Sequence, residues 1–221
     1  MSTSTLDKKV KVEIWSDIMC PFCYIGKRKF EAALAQFEHG DAIEIEWKSY
    51  QLDPSIPEDL DYEGNVYQYL ADAKGMSYDQ SSQMHENVVT MAKEVGLDYN
   101  FDIAKVANSF KAHRLIQLAK KQGLGDDMEE LMFKSYFTKG KNLGKTEVLI
   151  GIGKEVGLSE EQVLEALNND EYAYQVKQDI QEGAQLGLRG VPFFVFNRKY
   201  GISGAQSVEA FLQTLEKSAG E

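Results

Sequence analysis

The sequence predicts an α/β fold in which a small sheet, built from both ends of the chain, is interrupted by a large all-helical insertion. Strand patterns occur only near the two ends, whereas the segment from Tyr62 to about Leu186 has helical spacing almost throughout. No low-complexity linker separates the two kinds of segment. The simplest architecture pairs the two ends in one sheet. It predicts a sheet-containing domain of residues 8–53 and 187–218 and a helical insertion domain of residues 54–186.

The N-terminal end has the pattern of a strand, a helix and a second strand. Val10–Trp15 alternates apolar and polar residues, which predicts a strand. Pro21–Phe37 has its apolar residues at helical spacing, and His39-Gly40-Asp41 ends the pattern. Ala42–Tyr50 alternates again. Two strands joined by a helix within so few residues predict a βαβ unit with parallel strands.

The middle segment carries helix-start signals and helix breaks. Ser77 with Gln80, and Ser159 with Gln162, have the spacing of a capping box. Six or seven helices are predicted from the glycine-containing breaks near Gly96, Gly123–Gly125, Gly140–Gly144 and Gly157.

The C-terminal end returns to strand patterns. Pro192–Phe196 predicts a strand, Asn197–Lys199 a hairpin turn and Tyr200–Ser203 a second short strand. Ala205–Lys217 has apolar residues at helical spacing and predicts a closing helix.

Composition and charge exclude several classes of protein. The 221 residues are 43% hydrophobic, enough for a large core. With 24 basic and 35 acidic residues, the net charge is −11, which repels phosphate backbones. The strongest basic cluster, Lys139, Lys141 and Lys145, is typical of a solvated loop. We therefore expect no nucleic-acid partner.

The chain shows no sign of membrane insertion or export. Met1–Lys11 is polar and ends in lysines, and lacks the apolar run of a signal peptide. No stretch approaches the roughly 18 apolar residues of a membrane span. We expect a protein that does not bind membranes and is located in the cytoplasm.

The chain has only two cysteines, Cys20 and Cys23. A disulfide between them would close too short a loop to stabilise the fold much. A zinc site would need two further ligands from His39, His85 and His113, which lie far apart in the sequence. Redox chemistry without a bound metal or cofactor is the favoured interpretation, and two ordinary buried cysteines are the alternative.

The dithiol lies where a predicted strand gives way to a predicted helix. Pro21 occupies the first helical position, so the Cys20 sulfur lies at the helix N-terminus, where N–H groups and the helix dipole favour the thiolate. Cys23 follows one turn later. Cys20 is therefore the predicted attacking nucleophile and Cys23 the resolving cysteine. Pro21 and Phe22 add no charge and act only through dipoles and solvent access.

Gly190-Val191-Pro192 opens the third predicted strand. A trans proline is acceptable at a strand start, whereas a cis proline would fix a tight turn. A cis Pro192 facing the dithiol would bar a metal and leave the Val191 backbone free to pair with an extended substrate. The pattern of the residues leaves both isomers open.

Five segments of the chain together resemble the DsbA-like branch of the thioredoxin superfamily, and within it the FrnE-type cytoplasmic proteins. They are Ser16-Asp17-Ile18-Met19-Cys20-Pro21-Phe22-Cys23-Tyr24-Ile25-Gly26-Lys27, Trp47-Lys48-Ser49-Tyr50-Gln51-Leu52-Asp53-Pro54, Asn108-Ser109-Phe110-Lys111-Ala112-His113-Arg114-Leu115, Gly190-Val191-Pro192-Phe193-Phe194-Val195 and Tyr200-Gly201-Ile202-Ser203-Gly204-Ala205-Gln206. The resemblance implies a thioredoxin fold split by a helical domain, with the dithiol at the interface. It also implies that Cys20 attacks, that Cys23 resolves and that Val191-Pro192 forms a cis-proline loop.

Two departures from the family pattern bear on the redox chemistry. Phe22 stands where many relatives have tryptophan, so the direction of the reaction stays open. Ile14 occupies the position at which exported members have an acidic residue, which removes one candidate for a buried proton relay.

Several polar residues near the dithiol have two interpretations each. His113 is either a partly buried, hydrogen-bonded residue on a helical stripe with Ile103, Val106 and Phe110, or lines the substrate groove together with Asn108. Asp17 either disfavours the Cys20 thiolate through like charge or closes the turn, which we favour. Lys27 and Arg28 are expected on a solvated face.

The predicted function is thiol–disulfide exchange with a protein or small-molecule substrate, with glutathione or another thiol as a possible co-substrate. An alternative is a glutathione-dependent isomerase or transferase of the 2-hydroxychromene-2-carboxylate isomerase or kappa type. Those proteins typically have serine where this chain has Cys20. A non-catalytic binding module is the third alternative. The sequence does not indicate the substrate, the redox potential or the oligomeric state.

Overall fold

The computed structural model describes residues 9–60 and 62–220. Most of the polar start at Met1–Lys11, and residue 8 of the predicted domain boundary, lie outside the described residues. The predicted division into residues 8–53 with 187–218 and residues 54–186 stays a prediction.

Both ends of the chain contribute strands to one four-stranded sheet, as predicted. The strands are β1 (Val10–Ser16), β2 (Ile43–Ser49), β3 (Phe193–Phe196) and β4 (Tyr200–Ser203). Their order is β2-β1-β3-β4. β1 pairs with β2 in parallel and with β3 antiparallel, and β3 pairs antiparallel with β4. The parallel βαβ unit and the C-terminal hairpin are therefore confirmed.

The sheet packs against two helices, α1 (Pro21–Leu34) and α9 (Val208–Ala219). We call the apolar cluster between them the sheet core; its buried members are Val10, Val12, Ile14, Phe30, Ala33, Phe37, Trp47, Phe194, Phe196, Ile202, Phe211 and Leu215. The closing helix begins at Val208 and not, as predicted, at Ala205. The reason is that the Ser207 hydroxyl accepts the Ala210 N–H and caps the helix there.

Seven α-helices lie between β2 and β3 in the described part of the chain, within the predicted number. They are α2 (Val66–Lys74), α3 (Tyr78–Glu94), α4 (Phe110–Lys121), α5 (Gly125–Phe133), α6 (Thr146–Glu155), α7 (Glu160–Asn168) and α8 (Asp170–Gln185). A π-helical turn, Lys134–Thr138, extends α5. Both predicted capping boxes are present. Across the described ranges, no helix is long and apolar enough to cross a membrane.

The predicted helical stripe of Ile103, Val106, Phe110 and His113 is wrong in its first half, because α4 begins only at Phe110. Before it, the chain is irregular from about residue 97. The buried aromatic side chain of Phe101 packs edge-on against Phe137 in this segment. Tertiary packing of single side chains has replaced helical periodicity there.

Buried hydrogen bonds fasten the helical segment to the sheet. The Trp15 indole N–H donates to the Asp179 carbonyl at 2.8 Å. The Asp179 carboxylate accepts the Ser49 N–H at 3.0 Å and the Gln117 amide at 2.6 Å. Charge-assisted bonds of this kind are stronger than neutral ones, so one residue of α8 holds both β1 and β2 in place.

Candidate active site

Cys20 caps the N-terminus of α1 with an extended backbone (φ −88°, ψ 112°), and Pro21 follows at the first helical position. The Cys20 N–H donates to the Asp17 carbonyl at 2.9 Å, which closes the turn between β1 and α1. The Cys20 side chain makes no capping hydrogen bond to the helix. Because Cys20 is the N-cap residue, its sulfur lies at the positive end of the helix dipole, as the sequence predicts.

Cys23 lies one turn further on, and both cysteines are free thiols. The side chains are almost fully covered, with Cys20 3% and Cys23 1% exposed. Burial raises the pKa of the Cys23 thiol well above its ordinary value, and the nearby Cys20 sulfur adds to that rise. The Asp17 N–H and the Ser16 hydroxyl have the opposite effect and lower the pKa of Cys23. Cys23 is thus a buried thiol that holds its proton firmly.

The Val191–Pro192 peptide bond is cis, as the family resemblance implies. The loop faces the dithiol, since the Cys20 sulfur donates to the Val191 carbonyl at 3.5 Å. Gly26 permits this approach, because a Cβ atom there would lie 3.0 Å from the Pro192 ring. The Gly204 N–H donates to the Pro192 carbonyl at 2.8 Å and holds the loop from its other side.

The surface around Cys20 is apolar and partly open. Phe22 is 38% exposed and Leu52 50%, while Pro21 and Val191 are half-buried. Cys20, Cys23, Pro21, Phe22, Val191 and Pro192 thus come together at one place in the fold. Such a surface presents hydrophobic contacts and a backbone carbonyl to a molecule approaching the sulfur.

The helical segment closes the other side of the dithiol through Tyr99. Its hydroxyl donates to the Pro21 carbonyl at 2.7 Å, and its ring stacks on Phe137 with centroids 4.5 Å apart. Burial raises the pKa of Tyr99, and the neighbouring Cys20 and Cys23 sulfurs add to the rise. The sequence analysis missed this residue, because no local motif surrounds it.

One apolar cluster joins the dithiol to the helical segment, and we call it the dithiol interface. It includes Cys20, Cys23, Tyr24, Tyr99 and Phe133, with many aliphatic residues of the helices. The rings of Tyr24 and Phe133 stack with centroids 4.9 Å apart. The dithiol therefore lies between the sheet and the helical segment, as the resemblance implies.

Asp17 holds the turn in place, which confirms the favoured interpretation. Its carboxylate accepts the Met19 N–H at 3.2 Å and the Leu52 N–H at 2.7 Å. The first bond shapes the turn before Cys20. The second ties that turn to the segment after β2.

Asn108 fastens the start of α4 to that same segment. Its carbonyl accepts the Phe110 N–H at 2.7 Å and the Gln51 amide at 3.1 Å, and its amide donates to the Ile56 carbonyl. It is 7% exposed. The hydrogen bonds of Asn108 give it a structural role, and contact with substrate stays a prediction.

His113 is fully buried, and neither ring nitrogen has a hydrogen-bond partner among the described residues. The hypothesis that His113 lines the substrate groove does not fit this placement, because a side chain without exposed surface cannot touch a bound molecule. The alternative, a partly buried and hydrogen-bonded histidine, does not fit either.

The prediction of a solvated face at Lys27 and Arg28 is wrong for Lys27, which is 3% exposed. Its ammonium group lies 3.3 Å from both Asp126 and Glu130 on α5. Arg28 lies over the Tyr24 ring, with its guanidinium carbon 4.7 Å from the ring centroid. The acidic partners are about a hundred residues away in the chain, so local spacing gave no sign of them.

Comparison with known proteins agrees with this geometry. The family model of the DSBA-like thioredoxin domain matches residues 11–216. The chain belongs to this family. The match spans the sheet, the helical segment and the dithiol, so the α/β thioredoxin fold with a helical insertion accounts for nearly the whole chain.

Individual relatives cover the chain over most of its length. A crystal structure of a probable DsbA oxidoreductase from Streptomyces coelicolor is 38% identical, covers 96% of this chain and 91% of its own, and gives a TM-score of 0.90. A Bacillus subtilis protein, YwbO, described as uncharacterized, is 27% identical over 91% of this chain and 94% of its own.

Two more distant structures share the fold alone. The cytosolic disulfide reductase DsbM from Pseudomonas aeruginosa, solved with GSH, is 16% identical with a TM-score of 0.69, over 96% of this chain and all of its own. A 2-hydroxychromene-2-carboxylate isomerase is 12% identical with a TM-score of 0.68, over 95% and 94%.

Proposed function

We propose that this DsbA-like protein is a thiol–disulfide oxidoreductase that works through the Cys20–Cys23 dithiol. One observation carries the proposal: Cys20 caps α1 with its sulfur 3.5 Å from the Val191 carbonyl of the cis-proline loop, and a second free thiol lies one turn behind it. The chain has no other cysteine. The 38% identity to a probable DsbA oxidoreductase supports the same activity.

The proposed reaction has two steps. The Cys20 thiolate attacks a substrate disulfide, forms a mixed disulfide and releases one substrate thiolate. Cys23 then loses its proton and attacks the Cys20 sulfur, which releases the second substrate thiolate and leaves the Cys20–Cys23 disulfide. Run in reverse, the same steps oxidise a substrate dithiol. An extended substrate would pair with the Val191 backbone while Pro21, Phe22 and Pro192 contact its side chains.

Equilibration in glutathione redox buffers tests this function. We expect a reversible two-electron transition of the Cys20–Cys23 disulfide, lost in Cys20→Ser, while Cys23→Ser accumulates a mixed disulfide with glutathione. Mass spectrometry after acid quenching distinguishes these species. The midpoint ratio would say whether the protein oxidises or reduces its substrates. Failure to form an intramolecular disulfide at any ratio would contradict the proposal.

A glutathione-dependent isomerase or transferase is the second candidate, because the isomerase above shares the fold. In that case Cys20 would orient bound glutathione and Cys23 would have no part in turnover. Glutathione binding that leaves the dithiol reduced, with full activity in Cys23→Ser, would favour this candidate.

The subfamily, the location, the co-substrate and the expected absence of cofactors and of some partners are inferred from the sequence alone. FrnE-type membership, a cytoplasmic location and glutathione as co-substrate stay predictions, as do the lack of a bound cofactor and of a nucleic-acid or membrane partner. Redox-state trapping in intact cells would test the location and the reaction direction together.

A further inference from the structure

The peptide group that joins Pro21 to Phe22 has a hydrogen-bond partner outside its own helix. It lies within the segment Cys20–Cys23, which we call the dithiol motif. The Tyr99 hydroxyl donates to the Pro21 carbonyl at 2.7 Å. Tyr99 is 4% exposed, and burial raises its pKa, so the hydroxyl keeps its proton and remains a donor. A residue of the helical segment therefore acts directly on the backbone of the dithiol motif.

The π-helical turn after α5 holds Tyr99 in place. The Asn100 N–H donates to the Phe137 carbonyl at 2.7 Å, and the Thr138 hydroxyl donates to the Asp98 carbonyl at 2.8 Å. The residues on both sides of Tyr99 are thus bonded to this turn. The Tyr99 ring also stacks on Phe137, with centroids 4.5 Å apart. π-helical turns are frequent at functional sites, and this one fixes a hydroxyl against the dithiol motif.

The N–H of the same peptide group belongs to Phe22 and is a free donor at the start of α1. No described residue accepts it, as expected in the first turn of a helix. An N-cap side chain accepts from the second or third helical residue, here Phe22 or Cys23. The Cys23 N–H already donates to the Cys20 carbonyl at 3.0 Å. The Phe22 N–H is therefore the donor that α1 offers to the Cys20 sulfur.

Ionisation changes what the Cys20 sulfur needs from its surroundings. As a thiol it donates to the Val191 carbonyl at 3.5 Å. As a thiolate it has no proton to donate and can only accept, so it needs an N–H partner in place of that carbonyl. Hydrogen bonds to an ionised group are about twice as strong as neutral ones. A donor at this position therefore stabilises the attacking form of Cys20 more than its thiol form.

Hydrogen bonds at the two ends of one peptide group strengthen each other. A donor on the carbonyl oxygen polarises the amide and makes its N–H a stronger donor, by ~10–30% per bond. Tyr99 and Cys20 lie at the two ends of the Pro21–Phe22 peptide group. The Tyr99 hydroxyl can therefore influence the Cys20 sulfur through the backbone.

We propose that Tyr99 is a positioning residue of the active site, whose hydroxyl polarises the Pro21–Phe22 peptide group and so strengthens the bond from the Phe22 N–H to the Cys20 thiolate. The inference rests on the proposed function, in which this thiolate attacks the substrate disulfide. It gives the helical segment a part in the chemistry, because one hydroxyl of that segment sets how readily Cys20 ionises.

Alkylation of the reduced protein by iodoacetamide across pH tests the inference, because only the thiolate reacts. Tandem mass spectrometry distinguishes Cys20 from Cys23. We expect Tyr99→Phe to slow alkylation of Cys20 by roughly two- to threefold at pH values where the thiolate is the minor form. At high pH, where Cys20 is fully ionised, both proteins should react at the same rate. The profile of rate against pH thus moves to higher pH with an unchanged plateau.

The plateau distinguishes this effect from a loss of packing. Looser packing would expose the Cys20 sulfur, which is now 3% exposed, and would raise the rate at every pH. Tyr67→Phe is the matched control, because it removes a hydroxyl that donates to Asp102 at 2.8 Å and not to the dithiol motif. Its profile should coincide with that of the wild type.

The Phe22 amide reports the proposed bond itself. In protein labelled with 15N-phenylalanine, its proton resonance should move downfield as Cys20 ionises, and by less in Tyr99→Phe. A Tyr99→Phe alkylation profile that coincides with the wild type, or that differs in its plateau alone, would overturn the inference and leave the proposed function in place. A wild-type dithiol that forms no disulfide in glutathione buffers would instead overturn the proposed function, and with it the part of Tyr99 in the reaction.

Discussion

The sheet core and the dithiol interface, which meet along α1, differ in the polar groups that border them. The sheet core consists of apolar side chains, centred on Phe30. The dithiol interface contains two thiols, and the turn and helices around it bury the side chains of Asp17, His113 and Glu129. Burying an unpartnered polar group costs free energy of folding. The difference indicates that the sheet core stabilises the fold, whereas the buried polar groups beside the dithiol interface cost stability.

Removal of a ring from the sheet core should give the largest loss of stability. Phe30 is 1% exposed and contacts the rings of Phe194, Phe196 and Phe211. Phe30→Ala should lower the free energy of unfolding by about 3–5 kcal/mol, through lost burial and the cavity that remains. Urea denaturation measures this loss. In the protein that stays folded, the glutathione ratio at half-oxidation of Cys20–Cys23 should not move. A shifted ratio would mean that the two regions are coupled.

The pH dependence of stability should have opposite signs for a buried carboxyl of the helical segment and for one at the sheet edge. The folded pKa of Glu129 is raised to about 7 from an ordinary 4.5, so the folded protein binds more protons between these values. Stability should therefore fall as pH rises from about 4.5 to 7, by up to roughly 3 kcal/mol. At the sheet edge, bonds from Lys11 and Lys48 outweigh burial and hold the pKa of Glu46 at about 2. Its contribution should be lost as pH falls from about 4.5 towards 2.

Two glutamine variants show which residue causes each of these two changes of stability with pH. Glu129→Gln should flatten the decline of stability between pH 5 and 8 and leave the loss of stability in acid unchanged. Glu46→Gln should reduce the loss in acid and leave the decline between pH 5 and 8 unchanged. Thermal unfolding across pH measures both. An unchanged decline of stability between pH 5 and 8 in Glu129→Gln would show that Glu129 does not titrate in that range in the folded protein.

The contact of α1 with the cis-proline loop should give a smaller effect. A Cβ at Gly26 would lie 3.0 Å from the Pro192 ring and 3.5 Å from the Phe194 ring. Gly26→Ala should cost about 1–3 kcal/mol of stability by overpacking. It should also slow the reaction of Cys20 with disulfides, because the loop that faces its sulfur must shift.

Gly151, within α6, is the matched control. A Cβ atom there meets nothing within 4 Å. Gly151→Ala should stabilise the protein by roughly 0.5–1 kcal/mol through helix propensity alone, with no change at Cys20. Equal effects of the two substitutions would contradict the tight packing inferred at Gly26.

The sheet was predictable because its signals are local. The alternation in Val10–Trp15 and Ala42–Tyr50 placed β1 and β2 to within one residue at each end. At the hairpin, Asn197 and Arg198 adopt the positive φ angles of a tight turn. The segment before α4 was not predictable, since Ile103 and Val106 have helical spacing by coincidence and Phe101 packs individually.

The candidate site likewise has a part that the sequence predicts from a local motif and a part that it does not predict. Cys20, Pro21 and Cys23 form one short motif at a strand–helix junction, so the sequence alone located the dithiol. Tyr99 comes to it from a distant part of the chain and belongs to no motif. Burial of polar groups is a property of the packed fold, and local spacing cannot show which side chain loses its contact with water.

The bonds between sheet and helical segment also have a spectroscopic consequence. The chain has two tryptophans. The Trp15 indole donates to the Asp179 carbonyl on α8, and the Trp47 indole donates to Asp126 on α5 at 3.1 Å. Both fluorophores stand on the sheet, and both are bonded to the helical segment. The intrinsic emission of the protein therefore reports the docking of the helices on the sheet, without any added label.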